Sequence, residues 1–219
     1  MVIDDEPQPS PPARSRGSFW KELPILLVVA IVVAIVVRAF VLQTFWIPSE
    51  SMENTLLVKD RVLVNKVIYY LRSPHRGEIA VFKAPPNWRN GSDEDIIKRV
   101  IGVPGDHIVC CDAQQRLAVN GYPLDEPYIY RSADGITDLA SQQPFDIVVP
   151  KGRFWMMGDH RSDSADSREH YIRENDLAAA TIPEDSIIGR AFVIFWPLGR
   201  GDWLTVPKTF DKVPDPPKS

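Results

Sequence analysis

The sequence has little cysteine, and its two cysteines, Cys110 and Cys111, are neighbours in the chain. Two cysteines cannot form the disulfide framework that stabilises many small secreted domains. Neighbouring Cα atoms lie ~3.8 Å apart, below the ~4.4–6.8 Å usual for a disulfide, so we expect no ordinary bridge between them. In a strand the two side chains would point to opposite faces, one of them buried and the other exposed.

The chain also lacks a long cluster of basic residues. Its 219 residues carry a formal net charge of −4, and the sequence pI is about 5.6. Because nucleic acid binding generally requires a basic surface patch, the composition argues against nucleic acid as a partner. No internal repeat and no long amphipathic helical pattern is evident. About 170 residues remain beside one hydrophobic segment, which is enough for a single packed domain.

That hydrophobic segment is the most conspicuous feature that the sequence does contain. Residues 23–42 read LPILLVVAIVVAIVVRAFVL, and ~20 helical residues at ~1.5 Å each cover a hydrocarbon core of ~30 Å. We therefore predict a transmembrane helix. A buried core helix is the alternative, but a small domain has few places for a helix that is apolar on every face. A cleaved signal peptide has a shorter apolar run and a small-residue cleavage site, which this segment lacks.

The charges around this segment predict its orientation. Arg14, Arg16 and Lys21 precede it, and basic residues are retained on the cytoplasmic side of a membrane. Arg38 lies near the far end, where its long side chain can reach the interface. The prediction is a single-pass protein of the cell membrane, with a cytoplasmic N-terminus and an extracytoplasmic domain after Leu42.

Beyond Leu42, short segments rich in β-branched and aromatic residues recur between turn signals, which predicts a mostly β domain. The clearest turns are Pro104-Gly105 and Asn120-Gly121. The predicted strands are residues 61–69, 78–83, 96–103, 107–111, 116–119, 145–149, 152–157 and 189–196. The predicted organisation is a disordered cytoplasmic tail (1–22), a transmembrane helix (23–42), an extracytoplasmic β domain (43–206) with an inserted loop or lobe near 112–145, and a flexible tail (207–219).

Two segments carry residue types that suit nucleophilic catalysis. Ser51 lies in FWIPSESMENTL (residues 45–56), soon after the hydrophobic segment, and Lys98 lies in DIIKRVIGVPGD (residues 95–106), inside a predicted apolar strand. Burial of a lysine lowers its pKa from ~10.4 toward neutrality, and the neutral amine can then accept a proton from a serine hydroxyl. A surface serine and a solvated strand lysine are the simpler alternatives.

A third segment, MGDHRSDSADSR (residues 157–168), is a polar loop after an apolar strand. Its aspartates, Asp159, Asp163 and Asp166, could form an acidic metal site. The calcium loop pattern fails, however, because the glycine at its sixth position and the glutamate at its twelfth are missing. Asp166 and Arg168 suit an ion pair that holds the loop, which would leave Ser164 free to orient another side chain. We predict neither a metal nor another cofactor.

Taken in order, these three segments resemble the type I signal peptidase family, in its bacterial branch with a Ser/Lys dyad. Residues 60–66 (DRVLVNK) and 189–191 (GRA), which look structural, also match, and the match extends to near Trp196. The resemblance implies a serine endopeptidase that removes N-terminal signal peptides from exported preproteins after small residues, at Ala-x-Ala type sites. Its partners would be those preproteins and the lipid bilayer. Ser51 would be the nucleophile and Lys98 its general base.

The resemblance also assigns the supporting residues. Ser49 would donate to the oxyanion together with the Ser51 N–H, Ser164 would hydrogen-bond the lysine, and Asp166 and Arg168 would be the supporting pair. The substrate-binding residues would be Pro48, Met52, Leu56, Ile97 and Ala165.

Three residues depart from the family pattern. Glu50 stands where a small or polar residue is common, Asn54 where proline is frequent, and His160 where asparagine is common. None of them belongs to the proposed dyad.

Three other functions compete with this interpretation. A self-cleaving Ser/Lys repressor is opposed by the hydrophobic segment and by the lack of a DNA-binding region. A Ser/His protease would need His107, His160 or His170, none of which lies in a familiar triad signature. A non-catalytic envelope protein that binds exported chains is the third alternative.

Overall fold

The structure, a computed structural model, describes residues 19–36, 41–89 and 95–216. The chain divides into two compact units, Met1–Ala39 and Phe40–Ser219. In the first unit, helix α1 spans Phe19–Val36 and so begins within the predicted tail. Within the described ranges, no helix combines the length and the apolarity that crossing a membrane requires. Residues 1–18 of the predicted tail and 37–40 of the predicted membrane segment lie outside the described ranges.

The second unit is built on antiparallel sheets, which confirms the prediction of a mostly β domain. Its strands are β1 (Leu42–Trp46), β2 (Arg61–Asn65), β3 (Ile79–Lys83), β4 (Asp95–Gly102), β5 (His107–Cys110), β6 (Leu117–Val119), β7 (Tyr122–Pro123), β8 (Phe145–Val148), β9 (Arg153–Met157), β10 (Ile182–Pro183), β11 (Ile187–Trp196) and β12 (Asp202–Trp203). The larger sheet has the order β1-β2-β11-β3-β4-β9-β10, with β12 paired to β11, and the smaller has the order β7-β6-β5-β8.

Three short helices lie between the strands, and a polar side chain holds the start of each of them. In α2 (Ile68–Leu71), the first turn is held by Asn65 Oδ1, which accepts from the Val67 and Ile68 N–H groups. Asp166 and Asp176 cap α3 (Ser167–Glu174) and α4 (Leu177–Ala180) in the same way. A side-chain acceptor at this position satisfies N–H groups that the helix itself leaves unpaired.

Two turn signals in the sequence form turns as expected, and the one at Asn120-Gly121 closes a hairpin between β6 and β7. Asn120 and Gly121 have φ values of 51° and 79°, the paired positive φ values that a two-residue hairpin turn prefers. Gly105 has a φ of 89°, and the Asp106 N–H closes this turn on Val103 O at 3.0 Å. Asn120 also joins the two turns, because its Nδ2 donates to Asp106 Oδ1 at 2.8 Å.

The core lies on both faces of the larger sheet. Along β3, Ile79 and Val81 pack into one hydrophobic cluster, and Ala80 and Phe82 pack into another. Successive strand side chains point to opposite faces, so β3 is buried on both sides. The first of these clusters also contains residues that surround Ser51 in the chain, namely Ile47, Met52 and Leu56.

The end of the predicted membrane segment differs in the structure. Leu42 is the first residue of β1, which pairs with β2 from Leu42–Asn65 to Trp46–Arg61. The apolar run continues through this point in the sequence, so hydropathy alone does not mark the change from helix to strand.

The expectation that Cys110 and Cys111 form no bridge is wrong. The structure joins them in a disulfide across a cis peptide bond. The sequence argument assumed a trans peptide, which separates the Cα atoms by ~3.8 Å, whereas the observed separation is 3.0 Å.

The C-terminal segment also differs from the flexible tail expected from residue 207 onward. Phe210 is 6 % exposed, and Val213 is buried in the same hydrophobic cluster. The Phe210 ring stacks on the Tyr128 ring, with 6.2 Å between their centroids. It also packs so closely on Gly77 that a Cβ at that position would overlap the ring. Two apolar residues in a segment rich in proline and charge are too few to suggest packing from composition.

We predict that Phe210→Ala lowers the free energy of unfolding by about 3 kcal/mol, the usual cost of truncating a buried phenylalanine. Denaturant unfolding of the full chain in nonionic detergent, followed by circular dichroism, measures this change. Leu198→Ala is the matched control, because Leu198 is 80 % exposed. Equal stability of the two variants would contradict the packing of this segment.

Candidate active site

Ser51 lies in a tight turn between β1 and β2, and this turn is anchored in the core on both sides. Met52 and Leu56 are buried, and the Leu56 N–H donates to Met52 O at 2.8 Å. Asn54 adopts a φ of 81°, and its Nδ2 donates to the carbonyl oxygens of Tyr128 and Ile129 at 3.1 and 3.3 Å. Asparagine tolerates this left-handed conformation, whereas proline is locked near −65°. The turn conformation therefore accounts for asparagine at this departure from the family pattern.

Lys98 lies within β4, where it is paired in register with Ala80 of β3. Its side chain is buried, and its Nζ donates a hydrogen bond to Ser51 Oγ. Burial lowers the pKa of Lys98 to about 8, while the carboxylates of Asp166 and Asp159 act in the opposite direction. An amine with such a pKa is partly neutral near physiological pH, and its lone pair can then accept the serine proton.

Ser49 lies beside Ser51 and contributes a second hydroxyl to the site. Its Oγ lies 3.4 Å from Ser51 Oγ, at the outer limit of a hydrogen bond. Ser49 is exposed while Ser51 is buried. Its hydroxyl is therefore placed to reach a group that enters from the solvent side of Ser51.

Asp166 and Arg168 form a buried pair at the start of α3. Asp166 accepts from Arg168 through its Nε, Nη2 and backbone N–H, and also from the Gly158 N–H at 3.0 Å. Burial on its own would raise the pKa of Asp166, but the Arg168 guanidinium and these hydrogen bonds outweigh it, so the pKa is lowered. Arg168 in turn donates to the carbonyl oxygens of Ala140 and Arg161. The loop and α3 are thereby fixed to each other.

Ser164 lies on the same loop, against Gly158. A Cβ at Gly158 would overlap both Ser164 Oγ and the Ser51 carbonyl oxygen, so glycine is required for the two segments to approach. The buried Ser164 hydroxyl contributes to the low pKa of Asp166, although among the described residues it has no hydrogen-bond partner of good geometry. The structure therefore brings Ser164 to the site without a hydrogen bond to Lys98.

A second buried network at the site is not evident from the sequence. Asp159 accepts from Arg99 Nε at 2.9 Å, from Arg99 Nη2 at 2.6 Å and from Thr55 Oγ1 at 2.5 Å. Burial would lower the pKa of Arg99, but the pairing with Asp159 raises it. This network links the Ser51 turn, β4 and the loop after β9. Its only signal in the sequence is a pair of opposite charges placed directly beside Lys98 and Gly158.

Two of the three aspartates that could have formed a metal site are held in ion pairs. Asp159 binds Arg99 and Asp166 binds Arg168. A different group, Glu50, Glu53 and His160, has donor atoms within 4.8 Å of one another and is the set of described residues that could share a metal ion.

His160 lies directly against the Ser51 turn. Its ring stacks on Tyr130, with 3.8 Å between the ring centroids, and its backbone N–H donates to Ser51 O at 3.2 Å. These contacts give His160 a structural part in holding the Ser51 turn.

The predicted substrate-binding residues are divided between surface and core. Pro48 and Ala165 are exposed, and Ile97 is half-buried at the edge of the cluster around Ser51. Met52 and Leu56 are fully buried, so neither presents surface to a substrate in this conformation.

Comparison with known proteins gives a consistent family. Residues 20–196 match the model of the family described as signal peptidase, peptidase S26. The chain is 35% identical to a signal peptidase I of Mycobacterium tuberculosis, covering 90% of this chain and 77% of that protein. It is 38% identical to a probable signal peptidase I-2 of Synechocystis, over 90% of this chain and 80% of that protein. It is 36% identical to signal peptidase IB of Staphylococcus aureus, over 80% of this chain and 89% of that protein. The chain therefore belongs to the signal peptidase family, peptidase S26, and is a serine endopeptidase.

Proposed function

We propose that this protein is a membrane-anchored endopeptidase that removes N-terminal signal peptides from exported preproteins. Ser51 is its nucleophile, Lys98 is its general base, and cleavage follows small residues in Ala-x-Ala type sites. The observation that carries this proposal is the hydrogen bond between Lys98 Nζ and Ser51 Oγ in a buried setting that lowers the lysine pKa. Family membership supports the substrate class.

The reaction is an acyl transfer in two stages. Neutral Lys98 takes the Ser51 proton as Ser51 Oγ bonds to the scissile carbonyl carbon, and the resulting ammonium returns that proton to the leaving amine as the C–N bond breaks. The signal peptide is then an ester on Ser51. Water attacks this ester, Lys98 accepts the water proton, and the released Ser51 oxygen recovers it, which frees a carboxyl terminus.

Two groups near Ser51 can stabilise the negative oxygen of each tetrahedral intermediate. These are the backbone N–H of Ser51 and the Ser49 hydroxyl, whose oxygen is 3.4 Å from Ser51 Oγ. Donors held in place before the reaction stabilise a developing charge without further reorganisation, and losing one typically costs ~10²–10³ in rate.

The charges around Lys98 influence how often its amine is neutral and able to accept a proton. Asp166 and Asp159 favour the ammonium form, which would keep the lysine protonated at neutral pH. Each of these carboxylates, however, is paired with its own arginine, Arg168 or Arg99. The loss of hydration therefore dominates, and the amine is neutral often enough to act as a base.

The membrane location in this proposal depends on the hydrophobic segment. Its apolar residues include the exposed run of α1, and Arg14, Arg16 and Lys21 before it favour a cytoplasmic N-terminus. Ser51 follows Leu42 by only nine residues, which span at most ~30 Å when extended. A catalytic site so close to the segment suits a substrate whose own apolar segment ends at the outer membrane surface.

We expect Ser51→Ala and Lys98→Ala each to lower cleavage of a preprotein at least 10³-fold with the fold retained, because each removes one member of the dyad. Gel analysis of cleavage by the purified full chain in detergent measures activity, and circular dichroism measures folding. Lys83→Ala is the matched control, since Lys83 is an exposed lysine on the adjacent strand. Full activity of the Lys98 variant would exclude the dyad.

The pH dependence of cleavage should report the lysine. Below pH 8, kcat/KM should rise about tenfold per pH unit and then level off above it, because the neutral amine is the active form and the pKa of Lys98 is about 8. Initial rates with a peptide substrate between pH 5.5 and 9.5 measure this profile. A plateau that begins near pH 6 would point to a histidine as the base.

Replacing Lys98 should abolish activity but should raise the free energy of unfolding, because the buried charge of Lys98 destabilises the fold. In the folded state the pKa of Lys98 is lowered from 10.5 to about 8, so burial of its charge destabilises the fold by about 3 kcal/mol below pH 8. This cost declines from pH 8 to about 10.5, where the unfolded lysine also becomes neutral.

Lys98→Met should therefore be more stable than the wild type at pH 6, by an amount that shrinks as the pH rises to 10. Denaturant unfolding of both proteins at a series of pH values measures the difference. A stability difference that does not vary with pH would show that the lysine is not buried in its charged form.

A further inference from the structure

A cavity of about 320 Å³ opens between α2, β11 and the segment after β12. Its walls are mostly apolar or aromatic, and each of its polar side chains can donate a hydrogen bond. None of the described residues that line it is acidic. The lining residues are Asn65, Ile68, Arg190, Phe192, Trp203, Leu204 and Thr205.

Among the residues that the structure describes, Arg190 has no carboxylate of its own. Its Nη1 lies 3.2 Å from Glu78 Oε1, but the same carboxylate already accepts from Arg72 Nη2 at 2.5 Å, from the His75 N–H and from Tyr69 Oη. Two guanidinium groups therefore share one carboxylate, which leaves one positive charge uncompensated.

The hydrogen bonds of Arg190 are also incomplete. Its Nε–H is buried and has no acceptor within the described part of the chain. Leaving such a donor unsatisfied typically costs 1–3 kcal/mol, and more for a charged group, so the Arg190 guanidinium is incompletely compensated by the described part of the chain.

The other polar groups of the cavity complement the same kind of ligand. Asn65 Oδ1 is occupied by two backbone N–H groups of α2, so the group that remains for a ligand is the amide NH₂. Thr205 is exposed and offers a hydroxyl. Arg190, Asn65 and Thr205 together provide a cation and two neutral donors.

We infer that this cavity, at Arg190, binds the phosphate group of a membrane phospholipid. The guanidinium would pair with the phosphate oxygens, as arginine does with phosphate in many proteins. The apolar walls, Ile68, Phe192 and Leu204, would contact the glycerol and the first carbons of the acyl chains.

The surroundings of the cavity favour a lipid over free phosphate. Trp203 is 66 % exposed although its ring packs on Phe192 at 6.0 Å, and Tyr70 and Leu71 of α2 are also exposed. Large aromatic side chains that are apolar at one end and polar at the other suit the boundary between lipid and water. The choice of a lipid rests on the proposed membrane location, but the site itself does not involve the catalytic residues.

The test is calorimetric titration of the full chain in nonionic detergent with short-chain phosphatidylglycerol. Inorganic phosphate and a monoacylglycerol of equal chain length are titrated in parallel. Thr205→Glu places a carboxylate in the cavity, and Arg190→Gln removes the cation while Arg190→Lys retains it. Thr137→Glu is the matched control, because Thr137 is an exposed threonine that does not line the cavity.

We expect the wild type to bind phosphatidylglycerol at least tenfold more tightly than either comparison ligand. Thr205→Glu and Arg190→Gln should weaken this binding at least tenfold, Arg190→Lys should weaken it less, and Thr137→Glu should leave it unchanged. Equal affinity of the wild type and Thr205→Glu would overturn the inference, and so would inorganic phosphate that binds as tightly as the lipid.

Two further comparisons keep the result interpretable. Arg190→Gln could unfold the protein because it disturbs the contacts of Glu78, and in that case Thr205→Glu decides the question alone. Ser51→Ala should bind the lipid as the wild type does. A failure of the cleavage predictions would therefore leave this measurement intact, and a failure of lipid binding would leave the assignment of the dyad intact.

Discussion

The chemistry that we propose for this protein depends on the removal of water from one amine. Lys98 is held inside a β-sheet, paired with Ala80 across the strands, and its Nζ reaches Ser51 Oγ. A lysine on the surface would be protonated at neutral pH and could not accept a proton from serine. The residues around the site exclude water from this amine and hold the Ser51 hydroxyl within hydrogen-bonding distance of it.

The rigidity of the site comes from buried ion pairs that join separate segments. Arg99–Asp159 connects β4 to the loop after β9 and, through Thr55, to the Ser51 turn. Asp166–Arg168 connects the same loop to the start of α3. Buried pairs of this kind contribute little net stability because of their desolvation cost, but removing one partner leaves an uncompensated charge. Their main effect here is to position the segments that carry the catalytic groups.

Much of the fold and the site could be predicted from the sequence, and the exceptions have physical reasons. Turn residues and alternating strands are local signals, so the hairpin at Asn120-Gly121 and the main strands were predictable. The end of the apolar run was not, because Leu42 suits a helix in lipid as well as β1 against Asn65. The packing of Phe210 against Tyr128 and the pairing of Arg99 with Asp159 depend on contacts distant in the chain, which no local pattern encodes.

The buried charges differ in whether they have a partner of opposite charge. The buried carboxylates of the described residues each have an arginine: Asp60 pairs with Arg200, Glu78 with Arg72, Asp106 with Arg76, Asp159 with Arg99 and Asp166 with Arg168. Lys98 has no direct contact with a carboxylate of the described ranges, and its partner is the hydroxyl that it would deprotonate.

Arg190, on β11, is the partly buried counterpart, and among the described residues its carboxylate contact is the one to Glu78 that it shares with Arg72. A protein can maintain an unmatched cation only at a cost in stability, since the lost hydration is not replaced. Such a cost is expected where a substrate proton or a negatively charged ligand completes the arrangement. Lys98 and Arg190 are two such positions among the described residues, and they are where we place the chemistry and the ligand binding of this protein.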